Sequence, residues 1–237
     1  MNNPSIYSIM NDTLKRVISN SPNQKKMALV FDVETSGLIP KKMPNDGSIT
    51  PIDVYPYILQ IAYVVYDIEK QCIVKKYNEY IRPPSSVFIN AKITEITGIT
   101  REICDSKGVD ITSALTEFYH DYTPNTYIVA HNISFDQTII EIEIHRNNEI
   151  LKQNGIDALR LFNSLYNKIN NIELYCTMKM GKNICNITVE RADGKTGNYK
   201  KFPKLSELHE KLFGTVPDNM HDAYVDTMAC LKCFLQM

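Results

Sequence analysis

The run MALVF at residues 27–31 constrains the fold of this 237-residue chain more than any other stretch. Five apolar residues in a row, with no polar alternation, mark a strand covered on both faces. The chain continues DVETSG, which places Asp32 and Glu34 two residues apart, so both carboxylates leave an extended backbone on the same face. Two like charges at the end of a core strand are costly unless a cation lies between them. A strand of this kind therefore calls for a cation at its end.

Around that strand the apolar pattern lays out a sheet. A loop carrying Pro40, Pro44, Pro51 and Pro56 leads to YPYILQIAYVVYD (55–67), a second strand, and CIVKKYNEYI (72–81) reads as a third. A turn at 71–73 would close the two into an antiparallel hairpin. TYIVAHN (126–132) and IELYCTM (172–178) read as the fourth and fifth strands. INAKITEITGIT predicts a short helix with Gly98 just past its end, and SALTEFYHDY a helix capped by Ser113. Further helices are expected over 133–149, around 157–168, from Pro203 to Gly214, and from about Asp222 to Leu235. Ile6, Met10, Leu14 and Val17 recur at helical spacing and predict a short helix in an N-terminal extension, residues 1–26. A hairpin followed by alternating helices and strands predicts an α/β fold, a mixed five-stranded sheet flanked by helices.

The chain is 43% hydrophobic and 22% charged, enough to bury one large domain over 27–237. A net charge of −1 does not mark a globally basic nucleic-acid binder. Residues 179–204 carry a net +5 against −6 for the remainder, a basic insertion that by itself reads as a solvated loop. The six cysteines lack a disulfide framework, and Cys230 and Cys233 lack the partners of a zinc site, so they read as core thiols on the last helix. Neither a signal-peptide core nor a stretch of about 20 apolar residues is present, which predicts a soluble, intracellular protein without a membrane role, cytoplasmic or, in a eukaryotic host, nuclear.

Two further segments add acids. AHNISFD puts Asp136 one turn into the helix after the fourth strand, and HDAYVD places His221 at the start of the last helix and Asp226 inside it. Strand ends and helix starts of an α/β sheet converge on one crevice. Asp32, Glu34, Asp136 and Asp226 can then surround one or two hard cations, Mg²⁺ or Mn²⁺. Asp222 lies one turn before Asp226 and is better explained as a carboxylate at the positive end of the helix. His131 reads as a near-core histidine, Phe135 as core, and His120, His145 and His209 as surface residues.

FDVETSG, HNISFD and HDAYVD resemble, in order, the three motifs of the DEDDh (DnaQ-like) 3′–5′ exonucleases, a family of the RNase H-like superfamily. The outer motifs span residues 31–226. The resemblance implies that Asp32 bridges two Mg²⁺ or Mn²⁺ ions, Glu34 and Asp226 complete the tighter site, Asp136 supports the second, and His221 is the general base. An imidazole can take a proton near neutrality, so a loss of rate on the acid side is the expected signature. The resemblance also implies that the Thr35–Ser36–Gly37 turn approaches the terminal nucleotide and that the segment with Gly98 and Ile99 borders the last base. The same residues read equally well as a strand-end turn and a helix cap. In the setting of a nuclease the basic insertion becomes a candidate substrate arm, with Lys200 and Lys201 as its contacts. Implied partners are single-stranded DNA or RNA 3′ ends and, for proofreading, a polymerase or another replication or repair protein acting in trans. The products would be nucleoside 5′-monophosphates. Two rivals remain open at this point: a non-catalytic nucleic-acid-binding scaffold of the same fold, or an accessory subunit of a polymerase, and a metal-dependent phosphatase acting on nucleotides. The chain between Gly37 and Tyr57 is longer than in compact family members, which leaves substrate preference open.

Overall fold

The computed structural model describes residues 26–40, 51–190 and 197–237. The proposed N-terminal helix, most of the proline-bearing insertion and the tip of the basic insertion lie outside the described residues. Strands β1 (Met27–Thr35), β2 (Ile58–Asp67), β3 (Cys72–Tyr80), β4 (Tyr127–Ala130) and β5 (Glu173–Cys176) form one sheet in the order β3-β2-β1-β4-β5. The β1–β2 and β2–β3 pairs are antiparallel, whereas β1–β4 and β4–β5 are parallel. The predicted mixed five-stranded sheet is thus present, with β1 at its centre.

Alternation along β1 divides the core. Leu29, Phe31 and Val33 pack with Tyr63, Phe118, Ile139 and Ile140 on one face, which is covered by α3 (Ile111–Tyr122) and α4 (Ile133–Gln153). Ala28 and Val30 pack on the other face with Leu205, Leu208, Ala229 and Cys230. Those residues come from α7 (Leu205–Phe213) and α8 (Ala223–Gln236), and Cys230 and Cys233 are buried as expected. The even-numbered positions of β1, and with them Asp32 and Glu34, therefore face α8. Helices α1 (Ala91–Thr97) and α2 (Arg101–Lys107) flank β3, with Gly98 at φ 72° ending α1. Helix α5 (Ser164–Ile169) and helix α6 (Thr177–Cys185) bracket β5.

Several boundaries differ from the sequence reading. The β2–β3 turn occupies 68–71, because Asp67 Oδ1 accepts the Glu69 and Lys70 N–H groups and Gln71 takes φ 53°. Cys72 and Ile73 are already paired with Asp67 and Tyr66. Asp110, not Ser113, caps α3 by accepting the Thr112 N–H. The helix expected around 157–168 is a short 3-10 turn (Ala158–Arg160) followed by α5. Thr177 opens α6 rather than ending β5. Helix α7 begins at Leu205 after Lys204, with Pro203 outside it. The basic insertion holds most of α6 and then a hairpin, β6 (Thr188–Glu190) with β7 (Asn198–Lys200). His209 is buried, with Nδ1 at 2.6 Å from the Thr215 carbonyl and its ring against Phe213, so it is not a surface residue. Among the described residues no helix is long and apolar enough to cross a membrane.

Candidate active site

Four carboxylates converge at the end of β1. Asp32 pairs in register with Ala62 and Glu34 with Gln60, which fixes both on the α8 face. Asp136, in the first turn of α4, is buried and its Oδ1 accepts the Val33 N–H at 3.2 Å, which ties that helix to β1. Asp226, in the first turn of α8, is buried, and its Oδ2 accepts the His221 N–H at 3.3 Å. His221 is exposed on the loop entering α8, at φ 71°. One ligand atom each of Glu34, His221 and Asp226 lie within 4.8 Å of one another, a spacing at which a metal ion could be held.

The electrostatics are those of crowded, desolvated carboxylates. Burial, then the charges of Asp136, Asp226, Glu34 and Asp222, push the Asp32 carboxyl well above the usual range. Burial and the same neighbours raise Glu34 to about 8. Burial raises Asp136 to about 8 against the opposing hydrogen bond from Val33, and Asp226 to about 6 against its bond from His221. Among the described residues none of the four is ion-paired with a lysine or arginine. Asp226 Oδ1 is buried without a hydrogen-bond partner there. A buried orphan oxygen beside three raised carboxylates fits a hard divalent cation, whose field would hold all four ionised.

Asp222 stands at the positive end of α8, as expected, and also caps that helix. Its Oδ1 accepts the Tyr224 and Val225 N–H groups and its Oδ2 accepts from Gln60 Nε2. Beside the acids, Thr35 Oγ1 donates to the Gly37 carbonyl at 2.7 Å. Ser36 exchanges two bonds with Tyr57: its N–H donates to the Tyr57 carbonyl and its Oγ accepts the Tyr57 N–H, both at 2.9 Å. Among the described residues a Cβ at Gly37 would meet only Pro56, at 3.9 Å, so none of them demands glycine there.

Three of the sequence-predicted contacts sit differently. Ile99 is 1% exposed and packs with Leu59 and Cys104, so its side chain belongs to the core rather than to a nucleotide surface. Gly98 serves as the left-handed cap of α1. Lys201 Nζ is held at 2.5 Å by Glu207, and Lys200 is exposed on β7. What sequence reasoning missed is the neighbouring wall: Phe202 and Lys204 line a cleft together with Asp32, His221 and Asp226. The signal was present in YKKFPK, an aromatic between lysines, where only the charges drew notice.

Residues 29–234 match the family described as Exonuclease (RNase_T). The chain belongs to that exonuclease family. Its three motifs and sheet order place it among the DEDDh-type, RNase H-like members. Over 122 residues this exonuclease chain is 34% identical to the 3′-5′ exonuclease DinG of Bacillus subtilis (strain 168), covering 52% of the chain and 11% of that protein. It is 33% identical over 141 residues to a PolC-type DNA polymerase III of Streptococcus pyogenes serotype M18 (strain MGAS8232), covering 58% of the chain and 8% of the polymerase. The exonuclease chain thus corresponds to a small part of these relatives. E. coli Exonuclease I in complex with a dT13 oligonucleotide shares the fold, with TM-score 0.61 and 18% identity over 89% of this chain and 40% of that one.

Proposed function

We propose that the chain is a 3′–5′ exonuclease that hydrolyses single-stranded nucleic-acid ends to nucleoside 5′-monophosphates. The observation that carries this reading is a set of four carboxylates, raised by burial and by one another, two of which (Glu34 and Asp226) meet His221, with no lysine or arginine paired to any of the four among the described residues. Asp32, Glu34, Asp136 and Asp226 would hold two Mg²⁺ or Mn²⁺ ions. Bound there, the ions would supply positive charge for the attacking water, the phosphate oxygens and the leaving oxygen.

The chain's own groups do the rest. His221, exposed at the rim and bonded through its N–H to Asp226, accepts the proton of the attacking water at its imidazole. The water oxygen bonds to phosphorus while the bond from phosphorus to the 3′ oxygen of the preceding nucleotide breaks. That oxygen leaves as a hydroxyl with a proton from solvent. The Thr35–Gly37 turn, fixed by the paired Ser36–Tyr57 bonds, offers backbone to the terminal nucleotide. The 3′–5′ polarity is supported by the DinG relative, a single-stranded substrate by the oligonucleotide-bound Exonuclease I, and a role beside a polymerase by the PolC relatives.

The test is a denaturing gel of 5′-labelled single-stranded DNA and RNA of matched sequence with Mg²⁺ or Mn²⁺. The expected result is a ladder shortening from the 3′ end that is lost in Asp32→Ala and strongly slowed in His221→Ala. No shortening with either metal by folded protein would overturn the hydrolase reading in favour of a binding scaffold. Cleavage of a mononucleotide ester but not of oligonucleotides would favour a phosphatase.

A further inference from the structure

A cleft of about 520 Å³ opens from the acids toward the base of the basic hairpin. Asp32, His221 and Asp226 line it together with Phe202, Pro203 and Lys204. Phe202 is 46% exposed, so its ring is open to a ligand in the cleft that it lines.

The ring's support is fixed from three directions. Lys182, on α6, places its Nζ 4.6 Å from the Phe202 ring centroid. The adjoining Pro203 is buried, and its carbonyl lies 3.1 Å from His131 Nε2. Burial lowers the His131 imidazole to about 4, so it is neutral in use. Its Nε2–H donates to the Pro203 carbonyl while Nδ1 accepts from the Thr177 hydroxyl at 3.0 Å. Helix α6 also approaches closely at Gly181, where a Cβ would lie 2.9 Å from Leu208 Cδ1 and 3.3 Å from Pro203 Cγ. Finally, the Lys201 N–H donates to the Ile187 carbonyl at 3.0 Å, closing the hairpin base. A half-exposed ring on a backbone held this firmly loses little freedom when a ligand covers it.

We propose that Phe202 is a stacking platform for a base of a single-stranded nucleic acid, and that exposed Lys204 receives the adjoining phosphate. The inference rests on the nuclease reading, because the strand must reach the acids. The chemistry of the wall selects this occupant: an aromatic face for a base, flanked by cations for the backbone, is what a single strand requires. Lys201 is excluded from the role by its bond to Glu207. The Ser36–Gly37 turn lies apart from this wall, in a separate cleft that it shares with Tyr57 and Phe88. The terminal nucleotide would occupy that side, and the strand would leave across Phe202.

The experiment is fluorescence anisotropy with 5′-labelled thymidylate and uridylate dodecamers, with Ca²⁺ in place of Mg²⁺, over a salt series. Phe202→Ala is expected to weaken binding about tenfold, the scale of losing one base–aromatic stack, with Phe202→Trp restoring wild-type affinity. Lys204→Gln is expected to reduce the slope of log Kd against log salt by about 0.7, the contribution of one phosphate contact to a single strand. Phe202→Ala within twofold of wild type, or Phe202→Trp as weak as Phe202→Ala, would overturn the platform. So would a wild-type protein that binds neither dodecamer. A wild type that binds but does not shorten the dodecamers with Mg²⁺ or Mn²⁺ contradicts the hydrolase reading alone, and the Phe202 comparison still decides the platform.

Discussion

Helix α4 buries two acids seven residues apart, Asp136 and Glu143, and they sit in opposite circumstances. Each accepts a strand N–H at 3.2 Å, Asp136 from Val33 and Glu143 from Ile58. Burial raises the pKa of both. Glu143 is met by Arg146, whose Nη1 lies 2.9 Å from its Oε1. The same guanidinium donates to the Ile52, Tyr55 and Pro56 carbonyls and stacks 3.7 Å over the Tyr57 ring. Asp136 has no lysine or arginine paired to it among the described residues, and its charged neighbours are carboxylates. A buried acid with its cation supplied by the chain pins the 52–57 segment in place, and through Tyr57 it steadies Ser36. Asp136 lies among carboxylates with no such partner among the described residues, the setting in which we propose that a cation from solution is held. The contrast separates an acid paired within the chain from one that we propose holds a metal, within a single helix.

Substitution at the two positions should therefore diverge. Asp136→Asn keeps an acceptor for the Val33 N–H and removes a repelling charge. It is expected to cost at least about 10²-fold in hydrolysis, the scale for removing one preorganised electrostatic group, while the metal-free protein melts no lower than wild type at pH 8. Arg146→Met strands Glu143 in the interior and is expected to destabilise the fold by about 3–5 kcal/mol by denaturant unfolding. An Arg146→Met protein as stable as wild type, or an Asp136→Asn protein as active, would break the comparison.

A smaller effect follows from the raised acids. Unfolded carboxyls titrate near ~4, whereas Glu34 and Asp136 titrate at about 8 in the folded chain. Between those values the folded state binds more protons, so its stability falls as pH rises. Without metal, the melting temperature is expected to drop by roughly 3 °C or more between pH 5 and pH 8, with Mn²⁺ restoring more at pH 8 than at pH 6. A rise over that range without metal would mean the acids are already paired.

How much of this was legible in the sequence depends on the range of the interaction. The strands of the sheet were readable, because apolar runs are local, and so was the placement of the acid-bearing motifs at strand ends and helix starts. Asp222 as a carboxylate at the positive end of the last helix was readable for the same reason. The β2–β3 turn was misplaced because Asp67, scored as strand, also organises the turn through its side chain. Asp110 rather than Ser113 caps α3, and only the backbone shows which N–H groups a side chain meets. His209 was invisible as a core residue because its partner, the Thr215 carbonyl, carries no sequence signal. The Arg146 clamp and the Pro203 anchor from His131 join residues about 70–90 positions apart through carbonyls, which every residue possesses.

The central claim is that the four acids hold divalent cations. Calorimetric titration of Mn²⁺ into the wild-type chain near neutral pH tests it most directly. Saturable binding is expected, with proton release that changes the apparent heat between buffers, because raised carboxyls must ionise to bind. Binding should be lost or greatly weakened in Asp32→Asn and Asp136→Asn and retained in Glu143→Gln. No saturable binding to the wild type, or equal binding to Asp32→Asn, would contradict the account.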